Sequence, residues 1–291
     1  MAFFRALESV RPVNKRLFED PFATRFMRAR LRFAVRLSRA GLLASLVNRY
    51  ADRRLPGART SAIARTRFID DAVRNFFVHR NGQLVLLGAG FDCRAYRLPE
   101  LAHARVLEID HPATLSAKLA QLRTALPSLP ENVRFVDADF NRTTLDEILQ
   151  SSGFDRAQPA LFLWEGVTNY LSEAAVDSVL RCVAERHPGS RIVFTYVHSG
   201  MLNGSVFFEG AERLLRDVSR LQEPWTFGID PGGLRQFLSS RGLSLVEDVP
   251  AAEYRRRYFG DAARRMTGYE FYRIAIADVS RGAAARNEGA T

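Results

Sequence analysis

Between residues 83 and 200 the chain alternates short apolar runs with segments long enough to form helices, and few folds accommodate that pattern. Alternation of this kind predicts βαβ units and an α/β fold with a mostly parallel, doubly wound sheet that has helices on both faces. Such sheets bind ligands at the carboxyl ends of their strands, so functional residues are expected directly after each strand. The runs typical of buried strands are Gln83–Gly88, Arg105–Asp110, Ala160–Trp164 and Arg191–Val197, with Val133–Val136 as a shorter candidate.

The regions on either side of this core have different patterns. Residues 1–78 show helical periodicity and predict a helical cap over the core at 83–200. Residues 201–280 predict a second cap made of helices, followed by the last two strands. We therefore predict a single domain over residues 1–280. Residues 281–291 have little to bury and are expected to form a disordered tail.

A basic amphipathic helix is predicted within the N-terminal region. Such a helix could contact a membrane surface or a partner protein, or it could cover the active site of its own domain. Its apolar positions are Phe22, Phe26, Phe33 and Leu37, and its basic positions are Arg25, Arg28, Arg32, Arg36 and Arg39.

The net charge of +10 comes almost entirely from arginine, since Lys15 and Lys118 are the only lysines. A basic chain can bind nucleic acid, a membrane or an anionic substrate, but the base composition of the genome can also enrich arginine. No block of five Lys or Arg residues and no nucleic-acid-binding motif is present, so no nucleic-acid partner is expected.

Several other classes of protein are not expected. No apolar run reaches about 20 residues, so no membrane span is predicted. The two cysteines, Cys93 and Cys182, lie far apart, and no signal peptide is recognisable, which favours a cytoplasmic location. The five histidines lack the spacing of metal ligands, so no metal is expected.

A glycine loop follows the first predicted strand. Gly88 and Gly90 permit a tight turn and close approach of the backbone to a ligand, although a turn without a ligand is the alternative. A dinucleotide-binding loop would carry a third glycine where Cys93 stands. Asp110 ends the second strand, 20 residues after Gly90, where a carboxylate can accept hydrogen bonds from ribose; Glu108, two residues earlier and on the same side, is a second candidate. The loop thus favours an adenosyl ligand without a pyrophosphate over a nicotinamide dinucleotide.

The next two strands also end in candidate ligand-binding residues. Asp139 and Phe140 could hold an adenine, with the carboxylate accepting from its amine and the ring packing on it, although a helix N-cap is an equal explanation. Glu165 follows the strand at Ala160–Trp164 and would face a cationic end of the ligand. Tyr170 could line an acceptor site or belong to the core, and His198 could act as a general base or be a loop histidine.

Four ordered motifs carry a resemblance to a known family. Together with upstream segments at residues 5–9 and 16–22, they resemble the leucine carboxyl methyltransferase family, in its bacterial small-molecule branch. The resemblance extends from about residue 5 to residue 278. The motifs lie at residues 64–71 (ARTRFIDD), 87–98 (LGAGFDCRAYRL), 108–112 (EIDHP) and 164–171 (WEGVTNYL).

The resemblance implies a Rossmann-like class I methyltransferase fold with a seven-stranded sheet, and S-adenosyl-L-methionine as cofactor. It implies that Arg65 holds the methionine carboxylate of the cofactor and that Gly88 and Gly90 pass beneath it. It assigns the ribose to Asp110, the adenine to residues 139–140, and a place beside the amino group or the sulfonium to Glu165.

The function expected from the residues and the resemblance together is O-methylation of a small molecule. The acceptor would be a carboxylate or a hydroxyl, and the reaction would belong to natural-product biosynthesis. Two alternatives remain open, a nicotinamide-dependent oxidoreductase and an RNA-binding or RNA-modifying protein. The sequence names neither the acceptor nor the oligomeric state.

Overall fold

A computed structural model describes residues 1–140 and 142–280, so the predicted tail at 281–291 lies outside the described residues. Seven strands form one sheet in the order β3-β2-β1-β4-β5-β7-β6. Strands β1 to β5 are parallel, whereas β7 pairs antiparallel with both β5 and β6. The strands are β1 Gln83–Leu87, β2 Arg105–Asp110, β3 Val133–Asp137, β4 Ala160–Trp164, β5 Arg191–Val197, β6 Leu243–Pro250 and β7 Tyr272–Val279. The predicted mostly parallel, seven-stranded α/β fold is confirmed.

The described residues also form α-helices on both sides of the sheet. They are α1 Ala2–Ser9, α2 Ala29–Leu37, α3 Gly41–Arg54, α4 Ala58–His79, α5 Arg94–Arg97, α6 Pro112–Ala125, α7 Leu145–Ser151, α8 Glu173–Ala184, α9 Ser199–Leu202, α10 Ala211–Arg220, α11 Leu234–Ser239 and α12 Ala251–Phe259. No helix in these residues has both the length and the hydropathy needed to cross a membrane.

Two apolar cores lie on opposite faces of the sheet, because alternate residues of each strand point to opposite sides. On one face, Phe162 and Trp164 of β4 pack with α7, α8 and α11. On the other face, Leu161 and Leu163 of the same strand pack with α4 and α12. The central strands β1, β4 and β5 are therefore buried on both sides, which explains why they are nearly continuous apolar runs, whereas the edge strands β3 and β6 are partly exposed.

The predicted basic helix over residues 22–39 is wrong as a single element. A 3₁₀ turn at Ala23–Phe26 and helix α2 are separated by Met27 and Arg28, whose backbone is extended. The ring of Phe26 stacks on Phe91 at 4.7 Å between centroids, while Phe33 is 62% exposed. Contacts with the sheet's carboxyl edge hold the first half of this segment, and local periodicity cannot reveal such contacts.

Candidate functional site

The glycine loop after β1 has a backbone that other residues could not easily adopt. Gly88 and Gly90 have φ angles of +67° and +44°. A Cβ on Gly88 would lie 2.6 Å from a methyl carbon of Val167, whereas a Cβ on Gly90 would meet nothing closer than 3.9 Å. Gly88 is therefore required by packing, and Gly90 leaves open space above the loop.

A cavity of about 220 Å³ opens above this loop at the carboxyl edge of the sheet. Its walls come from the start of α1, from α4, from the segment Gly88–Asp92, and from the residues that follow β4. Four predicted site residues, Arg65, Gly88, Gly90 and Glu165, line this one cavity although they are spread over 100 residues of sequence.

Two arginines fix Glu165 in the wall of the cavity. Arg65 Nε donates to Glu165 Oε1 at 2.8 Å, and Arg94 Nη1 donates to Oε2 at 2.9 Å. Burial alone would raise the pKa of Glu165, but the charges of Arg65 and Arg94 outweigh it and hold that pKa below its usual value. Glu165 is therefore an ionised carboxylate in a fixed orientation.

Arg94 extends the ion-pair network away from the cavity. It also donates to Asp92 and, through Nε, to Asp70 Oδ1 at 2.8 Å. Arg97 donates to both oxygens of Asp70, which is fully buried. Burial would raise the pKa of Asp92, but Arg94 and other nearby cations lower it to about 2. The charges within the network therefore balance, because it contains three carboxylates and three guanidinium groups. These are Asp70, Asp92 and Glu165, and Arg65, Arg94 and Arg97.

The sequence prediction missed the roles of Arg94, Asp92, Asp70 and Arg5. Arg5 of α1 also lines the cavity, and its guanidinium donates to Asp20 Oδ2 at 2.8 Å and to the carbonyl of Phe91 at 2.5 Å. The only sequence signal for Asp92 and Arg94 was their place inside the motif that follows Gly90. Their partners lie up to 71 residues away, so spacing alone could not identify the network.

Asp110 supports the glycine loop from the end of β2. Its Oδ2 accepts from the backbone N–H of Gly90, and its Oδ1 accepts from the N–H of His111 at 2.7 Å. Each carboxylate oxygen keeps a second lone pair for another donor. The alternative candidate, Glu108, is fully buried and binds Lys118 Nζ at 2.6 Å and the hydroxyl of Tyr96 at 2.7 Å. Glu108 therefore lies beneath the ligand-binding edge and is a structural partner of Lys118.

Asp139 and Phe140 follow β3 at the same edge of the sheet. They lie next to Asp110, because the N–H of Ala138 donates to the carbonyl of Asp110 at 2.9 Å. Phe140 packs against the core and lines a separate cavity of about 140 Å³ with Leu171. Both residues therefore lie at the carboxyl edge of the sheet, where the sequence predicted them, but they do not line the cavity above Gly88.

An aromatic cluster lies beside Arg65. The guanidinium carbon of Arg65 is 5.3 Å from the ring centroid of Tyr272, whose ring is in turn 5.6 Å from that of Trp225. Tyr170 packs edge-on against Trp225 at 6.2 Å and is 40% exposed. Tyr170 is therefore not a core aromatic, and its position on the exposed side of this cluster is consistent with a role in an acceptor site.

His198 caps the short helix α9. Its Nδ1 accepts from the N–H of Gly200 at 3.0 Å, and its ring lies 5.4 Å from that of Phe208. In the neutral ring this hydrogen bond leaves the proton on Nε2, so a base role would require the ring to change tautomer. Within the described part of the chain, no group of three His, Cys, Asp or Glu residues is arranged to hold a metal ion.

The cavity fits an adenosyl ligand that carries an amino acid group. The two terminal nitrogens of Arg65 have no hydrogen-bond partner among the described residues, so they are free to pair with a carboxylate. The open space above Gly90 allows close approach of a ligand, and Asp110 lies directly beneath the loop. Cys93, at the position of the third glycine of a dinucleotide loop, is buried.

Comparison with known proteins agrees with this geometry. A "Putative S-adenosyl-L-methionine-dependent methyltransferase" of Mycobacterium avium (strain 104) is 31% identical over 280 residues, covering 87% of this chain and 89% of the relative. The "Putative S-adenosyl-L-methionine-dependent methyltransferase YktD" of Bacillus subtilis (strain 168) is 26% identical over 210 residues, covering 72% of this chain and 69% of YktD. A solved "putative methyltransferase" from Thermobifida fusca shares the fold, with a TM-score of 0.59 and 19% identity over 95% of this chain and 94% of that one.

The family model for leucine carboxyl methyltransferase matches residues 1–184, which include every residue of the cavity above Gly88. The cofactor is S-adenosyl-L-methionine, as the resemblance implied. This chain is therefore an S-adenosylmethionine-dependent methyltransferase and belongs to the leucine carboxyl methyltransferase family.

Proposed function

We propose that this enzyme is an O-methyltransferase that acts on a carboxylate or hydroxyl of a small molecule, in natural-product biosynthesis. The observation that carries the proposal is the presence of two arginines, Arg5 and Arg65, in the wall of one cavity. Arg5 is paired with Asp20 and Arg65 with Glu165, so the cavity has no excess positive charge, but both guanidinium groups keep N–H donors that no described residue uses. The cofactor's carboxylate would accept from the terminal nitrogens of Arg65. Nη1 of Arg5 would then be left to donate to an anionic oxygen of the acceptor, whereas a protonated amine has no lone pair to accept from it.

The residues of the cavity, together with those at the neighbouring ends of β2 and β3, would bind and orient the cofactor. Arg65 would pair with its methionine carboxylate, Asp110 with its ribose, and Asp139 and Phe140 with its adenine. Glu165, held ionised by its two arginines, would lie beside the amino group or the sulfonium. When bound, S-adenosylmethionine supplies an electrophilic methyl group.

The protein's own contribution would be positioning and exclusion of water. Arg94 and Arg65 lock the orientation of Glu165, so the binding surface does not need to rearrange before transfer. A carboxylate acceptor is ionised at neutral pH and needs no base. A hydroxyl acceptor would need a base, for which His198 is the proposed residue, with Tyr170 lining the acceptor side.

Transfer of radioactive methyl from labelled S-adenosylmethionine would test this proposal. The acceptor panel would contain aliphatic carboxylic acids, phenols, primary amines and total RNA. Base treatment separates the products, because a methyl ester releases volatile methanol whereas a methyl ether does not. Label on a carboxylate or hydroxyl supports the proposal. Label confined to amines or RNA contradicts it, and so does hydride transfer from NADH without methyl transfer.

A further inference from the structure

A second cavity, of about 590 Å³, lies among the N-terminal helices α1, α2 and α3. Its lining is almost entirely apolar and contains one charged residue, Arg54. Cavities that bind small organic molecules have this size and character. The apolar residues of its lining are Met1, Phe3, Phe4, Leu31, Ala34, Leu37, Leu43, Leu46, Val47, Tyr50, Ala51 and Leu55.

The side chains of this apolar cavity are unusually exposed for their type. Leu46, Tyr50 and Leu55 are 57%, 68% and 42% exposed. Leu43, Leu46, Val47 and Tyr50 follow the i, i+3, i+4, i+7 spacing of one helix face, so α3 presents a continuous apolar stripe to the cavity. A concentrated apolar surface of this kind marks a binding site more often than scattered apolar residues do.

Helix α1 separates the apolar cavity from the cofactor cavity. Ala2 and Arg5 of this helix line the cofactor cavity, whereas Phe3 and Phe4 line the apolar one. Met1 lines both cavities, so the two meet at the start of α1. A molecule in the apolar cavity can therefore extend one end past Met1 toward the arginines of the cofactor cavity.

We propose that the apolar cavity binds the body of the methyl acceptor and that the acceptor is a carboxylic acid with a long hydrocarbon chain. The hydrocarbon chain lies against the apolar stripe of α3, and the carboxylate points toward Arg5 at the cofactor cavity. This inference rests on the proposed O-methyltransferase function. The inference specifies the class of substrate for that function. In an apolar cavity, affinity increases with the length of the hydrocarbon chain, and a hydrophilic acceptor would find almost no polar contacts there.

Calorimetry with a series of carboxylates tests the proposal without requiring turnover. The protein is first saturated with S-adenosylhomocysteine, and octanoate, decanoate or dodecanoate is then titrated. Each buried methylene is expected to tighten binding by about threefold to fourfold, so the series should span roughly a hundredfold in Kd.

A matched pair of variants locates the binding site. Leu46→Glu places a carboxylate in the apolar stripe and should weaken dodecanoate binding by at least about tenfold. Leu221→Glu makes the same change at a residue that is 70% exposed at the end of α10, outside the cavity lining, and should leave the affinity unchanged. Both positions are exposed, so both variants should fold, and circular dichroism would verify this.

The outcomes separate this inference from the proposed function. Equal effects of Leu46→Glu and Leu221→Glu would overturn the inference, and so would an affinity that does not depend on chain length. Sedimentation showing a dimer that Leu46→Glu dissociates, with no dodecanoate binding, would also overturn it by assigning the surface to a second copy. Failure of S-adenosylhomocysteine to bind contradicts the proposed function, whereas failure of dodecanoate alone contradicts only the inference.

Discussion

Replacing Arg65 with alanine should weaken cofactor binding far more than it destabilises the fold. The side chain is 9% exposed and lines the cofactor cavity, with Nε committed to Glu165 and two terminal nitrogens free for a ligand carboxylate. A hydrogen bond to a charged group contributes about 1.5–3 kcal/mol, which corresponds to roughly a tenfold to hundredfold rise in the Kd of S-adenosylhomocysteine.

The fold should survive this substitution because Glu165 keeps a counter-charge. Arg94 remains bonded to its second oxygen at 2.9 Å, so no buried carboxylate is left unpaired. Arg65→Lys should show an intermediate loss of affinity, since one ammonium group cannot replace a planar fork that contacts both Glu165 and the ligand.

Arg67, one half-turn further along α4, provides the control. It is 34% exposed and pairs with Asp71 at 2.9 Å, an i,i+4 surface contact worth at most about 0.5 kcal/mol. Isothermal calorimetry on Arg65→Ala, Arg65→Lys and Arg67→Ala, with thermal unfolding of each variant, would measure binding and stability separately. If Arg65→Ala and Arg67→Ala bound the ligand equally well, Arg65 would be only a structural partner of Glu165.

Three further predictions concern the glycine loop, the ion-pair network and metals. Gly90→Val should weaken S-adenosylhomocysteine binding more than tenfold. Gly204→Val, at a φ of +73° and also in open space, should lower only the Tm, and equal losses of affinity from the two variants would contradict a ligand above Gly90. Because the folded pKa of Asp92 is about 2 against a usual 3.8, its contribution of roughly 2 kcal/mol is complete above about pH 4 and is lost as pH falls toward 2. Urea unfolding should therefore show the difference in unfolding free energy between wild type and Asp92→Asn narrowing as pH falls from 6 to 2, and a difference independent of pH would refute this. Asp261→Asn, which removes a carboxylate that is 96% exposed, is the matched control. Methyl transfer should be unaffected by EDTA; loss of activity that a divalent ion restores would show that a metal is required.

The sheet could be predicted from the sequence to a large extent. The observed bounds of β2, β4 and β5 equal the predicted ones, because strands buried on both faces end where the apolar run ends. The alternation rule also placed Glu108 and Asp110 correctly on one side of β2. It could not tell that Glu108 lies deeper and binds Lys118, because depth depends on how α6 packs.

The candidate site could be predicted only where residues follow the strands directly. Arg65 was assigned through the resemblance, since nothing in its own helix distinguishes it from Arg67. The pairing of Arg94 with Glu165 joins residues 71 positions apart, and the break at Met27 and Arg28 reflects contacts of Phe26 with the loop after β1. Local patterns contain no information about such long-range contacts.

The position of β7 has a consequence for the order in which the enzyme is assembled during synthesis. This strand comes last in sequence among the described elements, yet it lies between β5 and β6 and is their shared hydrogen-bonding partner. Until the ribosome has released residues 272–279, β5 has an open edge and β6 has no place in the sheet. Tyr272, at the start of β7, also packs on Arg65, so a nascent chain that already contains the whole glycine loop still lacks the ring that lies against this arginine. The binding site is therefore complete only after residues 272–279 have been synthesised and have joined the sheet.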